Sequence, residues 1–160
     1  MAVSDIEVLE MLDLLSGLGA DPRVMGGWGV DALAERRTRE HRDLDVAVRA
    51  EAVEACLDTL RDNGFAVSVD GLPARVELDD GIRVVDVHPL HYAEDGSAWQ
   101  AGLGGHRVDY PTDAWTSGLV AGRSVVCLSP ATQRRFHLGY APRAADVHDL
   151  ALLDEMESEP

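Results

Sequence analysis

Three aspartates carry the most chemistry. Asp43 and Asp45 stand one residue apart in Arg42-Asp43-Leu44-Asp45-Val46-Ala47-Val48, and Asp86 falls inside a second apolar run, Val84-Val85-Asp86-Val87. In an extended strand successive side chains alternate between faces, so residues two apart project from one face about 7 Å from each other. Asp43 and Asp45 then look the same way while Leu44, Val46 and Val48 point into a core. Two carboxylates that close repel unless a cation stands between them. Hard oxygen ligands of this kind suit magnesium, which keeps waters and accepts substrate phosphates. Three such groups can hold two cations about 3.5–4 Å apart, the arrangement that clamps the attacking and leaving oxygens of an in-line displacement at phosphorus. By itself an Asp-x-Asp pair fits a solvated strand face at least as well, because alternation is what a half-buried strand needs.

The run Val24-Met25-Gly26-Gly27-Trp28-Gly29-Val30-Asp31 adds a second element, an apolar approach, a tight turn and a helix start. Glycines there permit positive φ and bring bare backbone N–H groups close to a phosphate, and a following helix N-terminus adds partial positive charge. A simple turn remains the alternative for Gly26-Gly27 taken alone.

The elements that must position these groups are readable from periodicity and punctuation. Ser4 with Glu7 three residues on forms a capping box for a helix over Asp5 to Leu18, ended by Gly19. A first strand over 23–25, a short helix over Gly29 to Glu35 behind the glycine turn, and a strand over Leu44 to Val48 follow. Val53, Cys56, Leu57 and Leu60 make an amphipathic helix from Glu51 to Asn63, stopped by Gly64. Phe65 to Val69, Arg75 to Leu78 and Ile82 to His88 alternate as strands, the last two joined by the hairpin turn Asp79-Asp80-Gly81. Residues 93–105 read as loop, His106 to Tyr110 and Ser124 to Leu128 as strands. Ser129-Pro130 opens a helix to about Tyr140, and Ala144 to Met156 makes the last one. The expected class is α+β, a mixed β-sheet flanked by helices, in a single domain over 1–160 with a core at 1–92 and a C-terminal, partly helical part at 93–160 that contributes to substrate and nucleotide binding.

Gly26-Gly27-Trp28, Asp31-Ala32-Leu33, Thr38-Arg39, His41-Arg42-Asp43-Leu44-Asp45 and Asp86 together resemble the antibiotic nucleotidyltransferases of the DNA polymerase beta-like superfamily, and among them the small aminoglycoside and lincosamide nucleotidyltransferases. The resemblance is strong over 23–48 and fair over 82–92 and 121–152. It implies the polymerase beta-like palm fold and Mg2+-dependent transfer of a nucleoside monophosphate from a nucleoside triphosphate, ATP first among them, to a hydroxyl of a small-molecule acceptor. In that reading Asp43, Asp45 and Asp86 are the catalytic and metal-binding residues of a centre with two Mg2+ ions, with Asp86 as general base, metal ligand or both. Gly26, Gly27 and Trp28 hold the triphosphate through backbone N–H groups. Arg39 and Arg42 are candidate phosphate contacts, since a guanidinium matches phosphate geometry. Small proteins of this superfamily also occur as partner-binding modules, such as the antitoxin half of toxin–antitoxin pairs; intact carboxylates and glycines weigh against a purely binding copy.

Charge and composition narrow the partners. Fourteen basic against 29 acidic residues leave a net charge of −15, which repels nucleic acid and argues against a polynucleotide acceptor. The same balance attracts a small cation and favours a polycationic aminoglycoside over a lincosamide with its one amine; an acidic surface that serves only solubility is the bland alternative. A chain of 160 residues with 46% hydrophobic residues can bury a substantial core. Cys56 in a helix and Cys127 in a strand have no zinc-like spacing and read as buried apolar residues of a reducing, cytoplasmic compartment, and neither a leader nor a membrane segment is evident. A homodimer is compatible with so small a chain. His88 and His91, flanking Pro89-Leu90, suit either the site or a structural role at the strand end, with the structural role favoured, and His41 is expected to orient the start of its strand. The acidic loop residues Asp79, Asp80, Glu94 and Asp95 could attract an amine or be solvated faces.

Overall fold

The computed structural model describes residues 2–159; Met1 and Pro160 lie outside the described residues. The chain alternates helices with a nine-stranded mixed sheet. Helix α1 (Asp5–Leu15) opens on the expected capping box, with Glu7 N–H donating to Ser4 Oγ at 3.3 Å and Ser4 N–H to Glu7 Oε2 at 2.7 Å. It stops three residues short of the expected Leu18: the Ser16 hydroxyl bonds the Asp13 carbonyl at 2.9 Å and Gly17 takes φ +76. The short strand β1 (Arg23–Val24) leads into α2 (Gly26–Ala34), then β2 (Leu44–Arg49), a 3-10 turn and α3 (Val53–Asp62). Strands β3 (Ala66–Gly71), β4 (Arg75–Asp79) and β5 (Val84–Tyr92) follow as an antiparallel meander, with the Asp79-Asp80-Gly81 turn where expected. The remaining elements are β6 (Ala98–Ala101), β7 (Arg107–Tyr110), β8 (Trp115–Val120), β9 (Arg123–Leu128), α4 (Pro130–Phe136) and α5 (Ala144–Ser158).

The sheet runs β3-β4-β5-β2-β1-β9-β8, with β6 and β7 branching from the far end of β5. Two neighbouring pairs are parallel, β2 with β5 and β1 with β9. Alternation on β2 and β5 separates the two faces. Leu44, Val46, Val48, Val85 and Val87 enter the main core under α1 and α3, whereas Ala47 and Leu90 join a second cluster with Met25, Tyr110 and Leu128. The carboxylates of β2 and β5 lie on this second face, so the apolar residues that hold the strands down are what aim the aspartates away from the core.

Several expectations change. The glycine run is the first turn of α2 itself rather than a turn ahead of a helix beginning at Gly29; glycine at those positions answers to close neighbours, described below. Residues 93–105 contain a strand, β6, too short to show periodicity, and β8 was missed because Thr116, Ser117 and Gly118 carry little strand signal. Gly118 is there because α2 packs directly onto it: a Cβ would meet the Ala32 carbonyl oxygen at 2.7 Å. Helix α4 ends at Phe136, four residues before the expected Tyr140, and Cys56 and Cys127 are free and buried as expected.

Candidate active site

The parallel register of β2 and β5 sets Asp45 directly opposite Asp86, and the antiparallel register of β5 and β4 sets Asp86 opposite Glu77. One row of three carboxylates thus crosses three strands. Asp43 lies just ahead of β2, beside Asp45 at the floor of a cavity of about 510 Å3. Gly26, Gly27, Arg39, Arg42 and His88 also line that cavity, and α4, α5 and the segment joining them close it with Gln133, Tyr140, Arg143, Asp146 and Asp149. Of the expected site residues, the structure therefore brings Asp43, Asp45, Gly26, Gly27, Arg39 and Arg42 to one space. Asp86 stands behind Asp45. The Trp28 side chain is buried against the His41 ring, with centroids 4.6 Å apart, and Trp28 does not line the cavity.

The α2 start is fitted to the carboxylates. Gly26 has φ +58, and a Cβ there would overlap Oδ2 of Asp45; one on Gly27 would strike the Arg39 guanidinium and the His41 ring. Gly29 N–H is the first to find a helical partner, the Met25 carbonyl at 3.0 Å, so the preceding N–H groups of the turn are left for another acceptor. The Gln133 amide holds the Gly26 carbonyl at 3.0 Å and locks α4 to this turn.

The residues around the site are ordered by pairs that join distant parts of the chain. Asp31 is buried and accepts from His41 Nε2 at 2.6 Å, from the Thr38 backbone at 3.0 Å and from the Thr38 hydroxyl, which also meets His148 Nε2 at 2.9 Å. Arg39 makes a two-pronged pair with buried Asp149, both bonds 2.8 Å. Arg42 bridges Asp43 at 2.5 Å and Glu77 at 2.6 Å, and Arg75 pairs with Asp86 at 2.5 Å. His88 Nε2 lies 3.0 Å from Asp45 Oδ1 and 3.9 Å from Asp86 Oδ2. Sequence reasoning missed Glu77, Arg75, Gln100, Gln133, His137, Asp146 and Asp149. Glu77 alone left a signal, since it shares a strand face with Arg75.

These surroundings fit a divalent cation. Burial first, and then the charge of Asp45, pushes the Asp43 and Asp86 carboxyls above the usual range, against Arg42 beside Asp43 and against His88 and Arg75 beside Asp86. Asp45 is held low: burial opposes ionisation, but the hydrogen bond from His88 outweighs it. Oδ1 of Asp86 is buried without a hydrogen-bond partner. Crowded carboxylates with an orphaned oxygen are what a shared cation satisfies. Ligand atoms of Asp45, Asp86 and His88 all lie within 4.8 Å of one another. The acidic loop residues do something else: Asp80 and Asp95 cap their own turns, Asp79 accepts from Gly81 N–H, and none of the four lines the cavity.

A mixed sheet with a helix-start glycine pair above two adjacent strand carboxylates, and a third carboxylate in register behind them, defines a nucleotidyltransferase. The chain belongs to the aminoglycoside-2''-adenylyltransferase family, whose model matches residues 7–153. It is 32% identical over 149 residues to a lincosamide resistance protein of Staphylococcus haemolyticus, covering 92% of each chain. The crystal structure of the lincosamide antibiotic adenylyltransferase LnuA with lincomycin bound superposes with a TM-score of 0.88 at 30% identity, over 98% of this chain and 99% of that one. The crystal structure of ANT(2")-Ia with adenylyl-2"-tobramycin shares the fold at TM-score 0.76 and 18% identity, over 96% and 89% of the two chains. Membership in an enzyme family sets aside the partner-binding alternative. Among the described residues no helix is long and apolar enough to cross a membrane.

Proposed function

We propose that this enzyme transfers an adenylyl group from ATP to a hydroxyl of a lincosamide, with Mg2+ held by Asp43, Asp45 and Asp86. The observation that carries the reading is the carboxylate row itself, with Asp45 at the cavity beneath the Gly26-Gly27 helix start and Asp86 in register behind it. Bound Mg2+ would screen the charge that grows on the phosphoryl oxygens as the acceptor oxygen bonds to the α-phosphorus and the bond to pyrophosphate breaks. The backbone N–H groups at Gly26 and Gly27 receive triphosphate oxygens, and Arg42, exposed at the cavity rim, adds a guanidinium. Asp86, whose raised proton affinity suits the task, accepts the hydroxyl proton.

Two features support a lincosamide acceptor. The relatives compared at 30% identity or more are the lincosamide proteins, against 18% for the aminoglycoside enzyme. The cavity acids outside the carboxylate row are also already paired, Asp149 with Arg39 and Asp146 with Arg143, which leaves little free negative charge to receive a polycation. An aminoglycoside acceptor is the second reading, favoured by the net charge of −15. Pyrophosphate release measured with each of four nucleoside triphosphates and Mg2+, across lincosamides and aminoglycosides beside an Asp45→Ala control, separates them. Turnover confined to ATP and a lincosamide is expected; turnover only with aminoglycosides reverses the acceptor assignment, and no turnover with either sinks both.

A further inference from the structure

The ring of His88 is held from behind by an amide whose orientation is fixed. Gln100 Nε2 lies 2.9 Å from the Ala74 carbonyl oxygen, and a carbonyl only accepts, so that atom must be the NH2 group. A flipped amide would set two acceptor oxygens against each other. In that orientation the Tyr110 hydroxyl donates to Gln100 Oε1 at 2.7 Å. The same Gln100 nitrogen is 3.0 Å from His88 Nδ1, and its remaining hydrogen requires a lone pair there. Gln100 and Tyr110 are both buried, so no water competes for these bonds. With Nδ1 accepting, the proton of the imidazole stands on Nε2, where it meets Asp45 Oδ1 at 3.0 Å.

We propose that His88 is a positioning residue and not a metal ligand: the Tyr110–Gln100 relay fixes its Nε2–H tautomer, which orients Asp45 and leaves the cation centre to carboxylate oxygens alone. The cluster of Asp45, Asp86 and His88 would otherwise be a mixed nitrogen and oxygen set of the kind that zinc prefers. A hydrogen on Nε2 occupies the lone pair such an ion needs. What remains is an oxygen set for a hard cation such as Mg2+ or Mn2+. A second proton on the ring would stand N–H to N–H with the Gln100 amide. Glutamine 100 thus selects the metal from the far side of the histidine. The inference rests on the reading of Asp45 and Asp86 as cation ligands.

The test reads the tautomer itself. Two-bond 1H–15N correlation spectra of the full-length protein, recorded without metal and with Mg2+ and assigned by the signal lost in His88→Gln, should show the Nε2–H pattern in both. Gln100→Glu puts an acceptor against Nδ1; the proton should move there, Mg2+ affinity should fall by about 10- to 100-fold, and Zn2+ should gain on Mg2+ in competition. Tyr110→Phe, which leaves the Ala74 contact in place, should keep the tautomer with a weaker preference. A wild-type ring protonated on Nδ1 in a protein that binds Mg2+ overturns the inference alone. An Nε2–H ring in a protein that binds neither Mg2+ nor Mn2+ overturns the cation-site reading beneath it. An unchanged metal preference in Gln100→Glu with a shifted proton overturns the selection argument.

Discussion

Asp45 and Asp86 are register partners across two parallel strands, and the residues before and after each of them are buried apolar side chains that hold the pair on one face. The cost of that closeness appears without a cation. Replacing Asp43, the neighbour whose carboxyl is pushed up by burial and by Asp45, with asparagine should raise the metal-free melting temperature while reducing nucleotidyl transfer by about 10²-fold or more. Asp45→Asn and Asp86→Asn should lose activity on the same scale. Melting curves with and without Mg2+ check the first half: the cation should stabilise the native protein and do much less for Asp43→Asn. A metal-free Asp43→Asn variant that melts lower than wild type would contradict the electrostatic account.

Gly26 is the tightest point between α2 and the carboxylates. Its φ of +58 and the place of Asp45 Oδ2 where a Cβ would stand make alanine wrong twice, in backbone and in space. Gly26→Ala should cost about 1–2 kcal/mol of unfolding free energy from the left-handed backbone alone. Transfer activity should fall further than stability, because the carboxylate must turn aside to admit the methyl group. Denaturant unfolding and steady-state rates on the same preparation separate the two effects. Equal losses would mean that Asp45 keeps its orientation.

How far the sequence could be read depended on whether a residue's partner was local. The Asp43 and Asp45 alternation and the apolar run around Asp86 are each written in a few consecutive residues, and apolar neighbours determine which face each takes, so β2, β5 and the carboxylates on them were legible. The capping box of α1 and the Asp79-Asp80-Gly81 hairpin were local in the same way. The start of α2 was misplaced because two glycines suggest a turn, whereas here they answer to Asp45, Arg39 and His41, which only tertiary structure brings near. Strand β8 hid behind Gly118 for the same reason. The wall of the cavity from α4 and α5 left no signal: Asp149 reads as an ordinary polar residue of a surface helix until Arg39, 110 positions earlier, arrives beside it. Gln100 likewise acquires its role only when β6 folds back along β5.

Arg39 and Asp149 form a two-pronged link between the N-terminal half and α5, with Asp149 almost wholly buried. Arg39→Ala strands the buried Asp149 carboxylate and should cost about 3–5 kcal/mol, whereas Asp149→Ala leaves a guanidinium that the cavity can hydrate and should cost less. The double variant should cost clearly less than the sum, since neither charge is then left alone. Arg39→Lys keeps the charge but cannot make both bonds, so it should fall between. If Arg39 also touches phosphate, Arg39→Lys will raise the KM for ATP beyond what its stability loss explains. A double-mutant cycle by chemical unfolding, with KM for ATP in parallel, decides between a purely structural and a shared role.

His137 makes a further link to α5 and gives it a pH dependence. Its Nδ1 lies 2.7 Å from the Gln133 carbonyl and its Nε2 3.7 Å from Asp149 Oδ2. The Asp149 carboxylate, opposed in part by burial, raises the ring's affinity for a proton above its ordinary value. A group whose folded pKa is raised binds more protons in the native state than in the unfolded chain throughout the window between the two values, so stability falls as pH rises through it. The contribution is fully present below about pH 6.5, the ordinary histidine value, and is lost above the raised one. Comparison with His137→Gln isolates this group from the rest of the titration. The difference in melting temperature between wild type and variant should be largest near pH 6 and shrink by pH 9. A difference independent of pH would mean that the ring is neutral throughout and holds α5 by shape and the Gln133 bond alone.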